Sequence, residues 1–207
     1  MEWLTSICLG LGLSAACGFR VFVPMLGMSI AAQAGYLNLA DGFDWIGSVP
    51  ALVCFAVATV LEIGAYYFPW VDNALDSIAT PAAVVAGTIL TASVITDMNP
   101  LLQWTVAIIA GGGSAGVVQS GSVLLRGAST VTTGGSANFV VSTAEWIGSL
   151  VTTVLAIVLP ILAAIGVLAL ISYVLVRLLN RSSTGNPQRA AADSLREKPA
   201  PTKQLLM

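Results

Sequence analysis

The sequence predicts an all-α fold, a polytopic transmembrane helical bundle of about five main segments. Of the 207 residues, 57% are hydrophobic and 9% are charged, whereas a soluble domain carries about 25% charged residues. Too few polar side chains are therefore present to cover a surface that faces water. The mean hydropathy of +0.90 agrees with this, and the apolar residues occur in long blocks, as membrane-spanning helices require.

Five blocks, named segments A to E, have or approach the ~20 apolar residues that cross a hydrocarbon core of about 30 Å. Segment A contains Arg20 and Pro24, and segment B contains Glu62. Segment E contains Pro160 and is longer than one span, so we expect a kink at Pro160 or an extension into the cytosol. A tight helical hairpin at Pro160 is disfavoured, because no polar turn residues flank it. The approximate limits of the segments are Leu4–Ala32, Ile46–Trp70, Ile78–Thr96, Leu101–Leu125 and Ile147–Leu179.

The charge distribution predicts the orientation and the domain organisation. Six of the eight basic residues follow position 176, and basic flanks remain cytoplasmic under the positive-inside rule. We expect residues 1–181 to form a multi-pass domain in the cytoplasmic membrane, built from halves of about 1–100 and 101–181. Residues 182–207 are polar and charged, which predicts a disordered cytoplasmic tail. No basic surface suited to nucleic acid is present in the sequence.

The composition argues against catalysis and metal binding. The chain has no His, the commonest general base and metal ligand. Its three Cys residues lie in apolar segments at a spacing that matches no zinc site. We therefore expect no catalytic residue, no metal and no cofactor, and we do not expect an enzyme.

Two short similarities, about 100 positions apart, suggest an internal duplication. Asp44–Ser48 resembles Glu145–Ser149, and Gly12–Ala15 resembles Gly112–Ala115. If every segment spans the membrane, matching segments (A and D, B and E) are three crossings apart and point in opposite directions. The two halves are then inverted, as in many transporters. If segments A and D each enter and return, segments B and E run parallel instead. We expect inversion, and chance similarity between helices rich in small residues is the alternative.

A glycine run near the middle of segment D is a candidate substrate site. Glycine is a poor helix former, and discontinuous helices in matching positions of two repeats often mark transport sites. Backbone groups freed by a break here would bind substrate. The alternative is that the small residues let helices pack closely. The candidate residues are Gly111, Gly112, Gly113 and Ser114.

Arg20 lies deep within segment A, where an isolated Arg costs about 2.5–3.5 kcal/mol on insertion scales. It needs a partner, and Glu62 is the only carboxylate well inside another segment. We therefore expect an Arg20–Glu62 pair. Such a pair is either a structural contact or a gate that opens for an anionic ligand.

Other polar residues near segment ends have two interpretations each. Asp72 and Asp76 are four residues apart and would share a helix face, where they could contact a cation or act in a gate; the alternative is helix capping. Arg126 closes segment D as a possible gate residue or an interfacial anchor. Glu145 is expected to cap a helix, with a cation contact as the alternative. Residues 127–144 are rich in hydroxyls and carry no charge before Glu145, which indicates either an ordinary loop or a re-entrant one.

Several of these strings resemble the bacterial membrane-protein family filed as domain of unknown function 4126. The resemblance covers most of residues 8–170. It supports membrane embedding and implies no catalytic residue. The strings that carry it are Ser14–Arg20, Pro24, Leu61–Glu62, Pro69–Asn73, Leu75–Asp76, Ala79–Pro81, Gly111–Gly113, Leu125–Arg126, Ser129–Thr130, Asn138–Phe139 and Ser142–Glu145.

Two function classes follow from these residues. The leading hypothesis is a small transporter or channel for a small anionic solute or a lipid headgroup, with Arg20, Glu62 and the glycine run near the midplane. The alternative is a membrane scaffold or assembly factor that transports nothing. In both cases we expect contacts with membrane lipid, a possible homodimer and no nucleic acid.

Overall fold

A computed structural model describes the backbone of residues 2–65 and 69–184, and all side chains in these ranges except those of 2, 69–77, 175 and 177–184. The described residues are helical and contain no strand, so the all-α class is confirmed. Residues up to Ile171 form one compact unit. The helices are α1 (Glu2–Phe19), α2 (Phe22–Gln33), α3 (Val49–Ala65), α4 (Pro69–Val94), α5 (Pro100–Thr133), α6 (Asn138–Val158) and α7 (Pro160–Thr184), with a short 3-10 helix at Asp44–Gly47.

The described surface is largely apolar, whereas many polar side chains lie inside. Among the described residues, two helices, α5 and α6, are long and apolar enough to cross a membrane, and the other five contain apolar stretches of 10–17 residues. Large exposed apolar patches and buried polar groups are both unusual in soluble monomers. Exposed apolar residues include Val53, Val57, Val60, Ile108, Ile109, Leu150, Val154, Ile161 and Ile165. Buried polar residues include Ser14, Arg20, Thr91, Ser114, Gln119, Ser122, Arg126, Glu145, Ser149 and Thr153.

Segment A is a helical hairpin. Gly12 of α1 lies against Ala156 of α6, and Gly27 of α2 lies against Thr153, only three residues away. A straight helix would separate Gly12 from Gly27 by about 22 Å along its axis. The chain therefore reverses between α1 and α2, at Arg20, so that α2 runs back alongside α6. The sequence left open whether segment A spans or re-enters, and the structure shows that it turns back.

Segment E is also two helices. Gly12 lies against both Ala156 of α6 and Ala163 of α7, although a continuous helix would place these alanines about 10 Å apart. The chain turns at Leu159, whose backbone is non-helical (φ −135°, ψ 65°), and Pro160 begins α7. A kink or an extension was expected here, and the structure shows a turn instead. Proline suits the first position of a helix because its missing N–H has no intrahelical partner there.

Residues 127–144 are mostly helical, which corrects the expected loop. Helix α5 continues to Thr133, and α6 begins at Asn138. The hydroxyls of Thr130, Thr132 and Thr133 donate to carbonyl oxygens one turn earlier, so they bond within the helix and need no water-exposed loop. Only the short connection between α5 and α6 is non-helical, and its Gly134 has a φ of 65°, a left-handed conformation that favours glycine.

The packing does not show inverted halves. Ser14 and Gly18 of α1 lie against Ser114 and Val118 of α5, respectively. Both partners advance in the same direction, so α1 and α5 run parallel, whereas inverted halves would place these matching segments antiparallel. The second similarity also lies in unlike structure, because Asp44–Gly47 is a 3-10 helix while Glu145 is inside α6. Inverted halves are therefore not confirmed.

Candidate functional site: a buried ion cluster at a helix break

The break between α1 and α2 is held by a carboxylate from α3. The backbone amides of Val21 and Phe22 donate to the two carboxylate oxygens of Glu62, at 2.9 and 3.1 Å. The first amides of a helix have no partner within it, and a negative charge is favourable beside them. Glu62 therefore supplies the start of α2 with the cap that its own sequence lacks, since Val21 makes no side-chain cap.

Arg20 lies at the tip of the hairpin and is 2% exposed. Its Nη2 donates to the Glu145 carboxylate at 3.0 Å and to the Ser142 carbonyl at 3.1 Å. Arg126 of α5 donates to the same carboxylate, through Nε at 3.2 Å and through Nη2. The Ser122 hydroxyl donates to it as well.

We call Arg20, Ser122, Arg126 and Glu145 the ion cluster. Its members come from α1–α2, α5 and α6, and each is at most 6% exposed. Glu145 thus serves as a shared counter-ion for two arginines. A buried carboxylate that accepts several charge-assisted hydrogen bonds holds its partners in a defined geometry. The cluster ties the hairpin tip to the other two helices.

The described residues show no direct Arg20–Glu62 ion pair of the expected kind. Arg20 forms an ion pair with Glu145, while Glu62 binds the neighbouring backbone amides. Glu145 does not cap a helix, because α6 begins seven residues before it at Asn138. Arg126 does not end a helix as expected, because α5 continues for seven residues beyond it, and its side chain is buried.

The last turn of α1 is also bonded to α6. The Ser149 hydroxyl donates to the Ala16 carbonyl at 3.0 Å, and the amide of Arg20 donates to the same carbonyl. Carbonyls at a helix end need such partners when they are buried. Sequence reasoning did not single out Ser149, although a serine in an apolar helix is a general signal for such a bond.

The glycine run of segment D does not break the helix. A π-helical stretch, Ala107–Gly112, leads directly into the rest of α5. The hydroxyls of Ser14 and Ser114 both donate to the Gly111 carbonyl, and the two hydroxyl oxygens lie 3.0 Å apart. Single π-helical turns often occur at functional sites, but here the carbonyl of Gly111 already has side-chain partners.

Close helix packing explains two of the three glycines. A Cβ on Gly111 would lie 2.7 Å from the Gly87 carbonyl of α4, and one on Gly112 would meet Thr88. Gly113 has open space around it. Ser14 precedes Arg20 by six residues on α1, which is about 9 Å along the axis. The glycine run and Arg20 therefore do not form one compact site.

Two of the candidate gate residues lie outside the described side chains. Asp72 and Asp76 fall in the first turns of α4, of which only the backbone is described. Among the described residues, no three His, Cys, Asp or Glu side chains lie close enough together to hold a metal ion.

The comparisons with known proteins agree with the resemblance noted in the sequence. The family model described as Domain of unknown function (DUF4126) matches residues 7–181. The chain belongs to this family. The match includes every residue of the ion cluster. No curated protein and no solved structure matches the chain.

Replacing Glu62 by Ala should loosen the hairpin tip. The amides of Val21 and Phe22 would lose their acceptors, and an unsatisfied buried donor costs about 1–3 kcal/mol. We expect a lower free energy of unfolding and faster hydrogen exchange at these two amides, with Glu62→Gln intermediate because it keeps one oxygen. Asp41→Ala, at an exposed carboxylate, is the matched control. Unchanged exchange at both amides in Glu62→Ala would contradict this capping role.

Proposed function

We propose that the chain is a multi-pass protein of the bacterial inner membrane that moves a small solute, as a transporter or channel. Support comes from its apolar exposed surface and its polar interior. Buried polar side chains lie along α1, α4, α5 and α6, and a polar solute needs such groups to cross a hydrocarbon core. The basic C-terminal region would lie in the cytoplasm, membrane lipid would surround the bundle, and a second copy is a plausible partner.

The observation that carries the proposal is the ion cluster at the tip of the hairpin. Burying an ion pair costs more than burying apolar groups of similar size, and intramembrane charges usually mark ion or substrate pathways. The cluster joins three separate parts of the bundle, so its opening would separate them. We propose that it is the gate.

The geometry favours a small anion, or the anionic headgroup of a lipid, as the solute. Two arginines and the amides at the start of α2 are each held by a carboxylate of the chain, Glu145 or Glu62. An incoming phosphate or carboxylate group would present the same chemistry. The incoming group would compete with Glu145 for the arginines and with Glu62 for the amides. A contact within the chain would then break as a contact with the solute forms.

Solute flux from proteoliposomes tests the proposal. Vesicles that contain the purified chain are loaded with chloride, phosphate or acetate, and efflux is compared with that from protein-free vesicles. We expect efflux of at least one anion, changed about tenfold or more in a Glu145→Gln sample that circular dichroism shows to be folded, since a barrier change of about 1.4 kcal/mol is tenfold in rate. Asp41→Asn, at an exposed acid, should leave efflux unchanged. Equal efflux from parent, variant and empty vesicles for every solute would overturn the proposal.

One observation favours the alternative of a scaffold. The Glu145 carboxylate already holds both arginines, and the glycines of α1, α4 and α5 pack tightly, as in a purely structural core. A buried ion cluster can often be replaced by apolar residues without loss of stability. A folded Arg20→Met/Arg126→Met/Glu145→Leu variant that keeps its role in cells, without anion efflux from either protein, would favour the scaffold.

A further inference from the structure

Among the residues that the structure describes, three polar atoms between α5 and α6 lack a hydrogen-bond partner. They are the hydroxyl oxygens of Ser129 and Ser142 and the amide oxygen of Asn138, and each is shielded from solvent within the described structure. Ser142 as a whole is 9% exposed. Buried polar atoms almost always have a partner in the protein or in ordered water. Three such atoms on two adjacent helices therefore indicate a bound ligand.

The three residues lie beside the ion cluster. Arg126 and Glu145 pair across α5 and α6. Ser129 follows Arg126 by three residues and Ser142 precedes Glu145 by three, so both lie about one turn closer to the connection between the helices. The backbone carbonyl of Ser142 also accepts from Arg20. A molecule held by these hydroxyls would therefore lie next to the cluster.

The available atoms define the chemistry of the ligand. A serine hydroxyl both donates and accepts, whereas the amide oxygen of Asn138 only accepts. The Asn138 Nδ2 is already used, because it donates to the Thr130 hydroxyl at 3.0 Å, and that hydroxyl in turn donates to the Arg126 carbonyl. These three atoms, two hydroxyls and one amide oxygen, fit a neutral molecule with O–H or N–H donors better than a bare anion.

We propose that Ser129, Asn138 and Ser142 form a water-binding pocket that connects the ion cluster to the α5–α6 end of the bundle. A buried water typically makes about three hydrogen bonds, which is the number of free atoms here. The pocket stands on this geometry alone. Its further role as the entrance for a polar solute rests on the proposed transport function.

Whether the Tm falls or rises when a pocket serine is replaced by Ala tests the pocket. If the Ser142 hydroxyl holds bound water, Ser142→Ala removes one of its bonds, and we expect the Tm to fall by about 2–4 °C. If the hydroxyl has no partner at all, the same change relieves a buried unsatisfied group and the Tm rises. Ser129→Ala should behave like Ser142→Ala. Ser120→Ala, at an exposed serine bonded within its own helix, is the control. A rise in both pocket variants would overturn the proposal.

Alkylation by iodoacetamide, a small neutral reagent, tests whether water reaches the pocket. Ser142→Cys and Ser129→Cys are made in a Cys8→Ala/Cys54→Ala background, in which the buried Cys17 serves as an unreactive internal control. We expect each new thiol to react about tenfold faster or more than that of Ser114→Cys, a buried serine bonded within the chain, since access governs thiol reactivity. Equal rates for all three would overturn the connection to the end of the bundle. Neither test depends on transport, so failure of the pocket and failure of the proposed function are distinguishable.

Discussion

Replacing Glu145 by Gln is expected to lower the free energy of unfolding by about 3–5 kcal/mol, the largest effect of any single substitution considered for this chain. The change leaves Arg20 and Arg126 buried without the carboxylate that they share. Removing one partner of a buried ion pair is costly because the remaining charge stays desolvated. Here two charges of the same sign would remain side by side. Unfolding in mixed micelles, followed by circular dichroism, measures the loss.

The control for Glu145→Gln is Asp41→Asn, which makes the same chemical change at an exposed carboxylate. Exposed charges contribute about 0–1 kcal/mol, so this variant should unfold like the parent. An additional Arg126→Gln in the Glu145→Gln background should recover part of the stability, because it removes one of the two like charges that shared the Glu145 carboxylate. Equal stability of Glu145→Gln and the parent would contradict the shared counter-ion.

The second large effect is expected at Gly111. In Gly111→Ala the new methyl carbon would lie 2.7 Å from the Gly87 carbonyl oxygen, a backbone atom that cannot rotate away. Overpacking a close helix contact costs about 1–3 kcal/mol, and the parallel pair α1–α5 would lose its fit to α4. The same unfolding titration measures the loss.

Gly113→Ala is the matched control, two residues away in the same glycine run. Gly113 has open space around it, so the added methyl group meets nothing. Alanine is a better helix former than glycine by about 1 kcal/mol, and we expect Gly113→Ala to be neutral or more stable than the parent. Similar losses in both variants would contradict the packing interpretation and indicate that the run acts through its flexibility.

The sequence predicted the helical class and the need of Arg20 for a carboxylate, but not which carboxylate. An intramembrane Arg must be paired wherever it lies, so its burial cost is visible in the sequence. The choice between Glu62 and Glu145 depends on how α3 and α6 are placed around the hairpin, which local patterns do not encode. Glu145 lies just ahead of an apolar run, a pattern typical of a helix start, but the helix already begins seven residues earlier at Asn138.

The hairpin at Arg20 left little local signal for a similar reason. Turns are usually recognised by Gly, Pro, Asn or Asp residues that supply the required conformations and caps. Here the cap comes from Glu62, 40 residues along the chain from Phe22, and the carbonyl of Ala16 is satisfied by Ser149. The turn is therefore built by side chains of other helices. Its own residues are as apolar as those of a continuous span, apart from Arg20.

A double-mutant cycle between Arg20 and Glu145 tests the ion cluster most directly. Arg20→Gln, Glu145→Gln and the double variant are unfolded in mixed micelles, and a second cycle pairs Arg20→Gln with Glu62→Gln. Residues in contact show coupling energies of about 0.5–3 kcal/mol. We predict a coupling energy in the upper part of that range for Arg20 with Glu145, and a smaller one for Arg20 with Glu62. The larger coupling energy in the Arg20–Glu62 cycle would contradict the cluster, and with it the proposed gate.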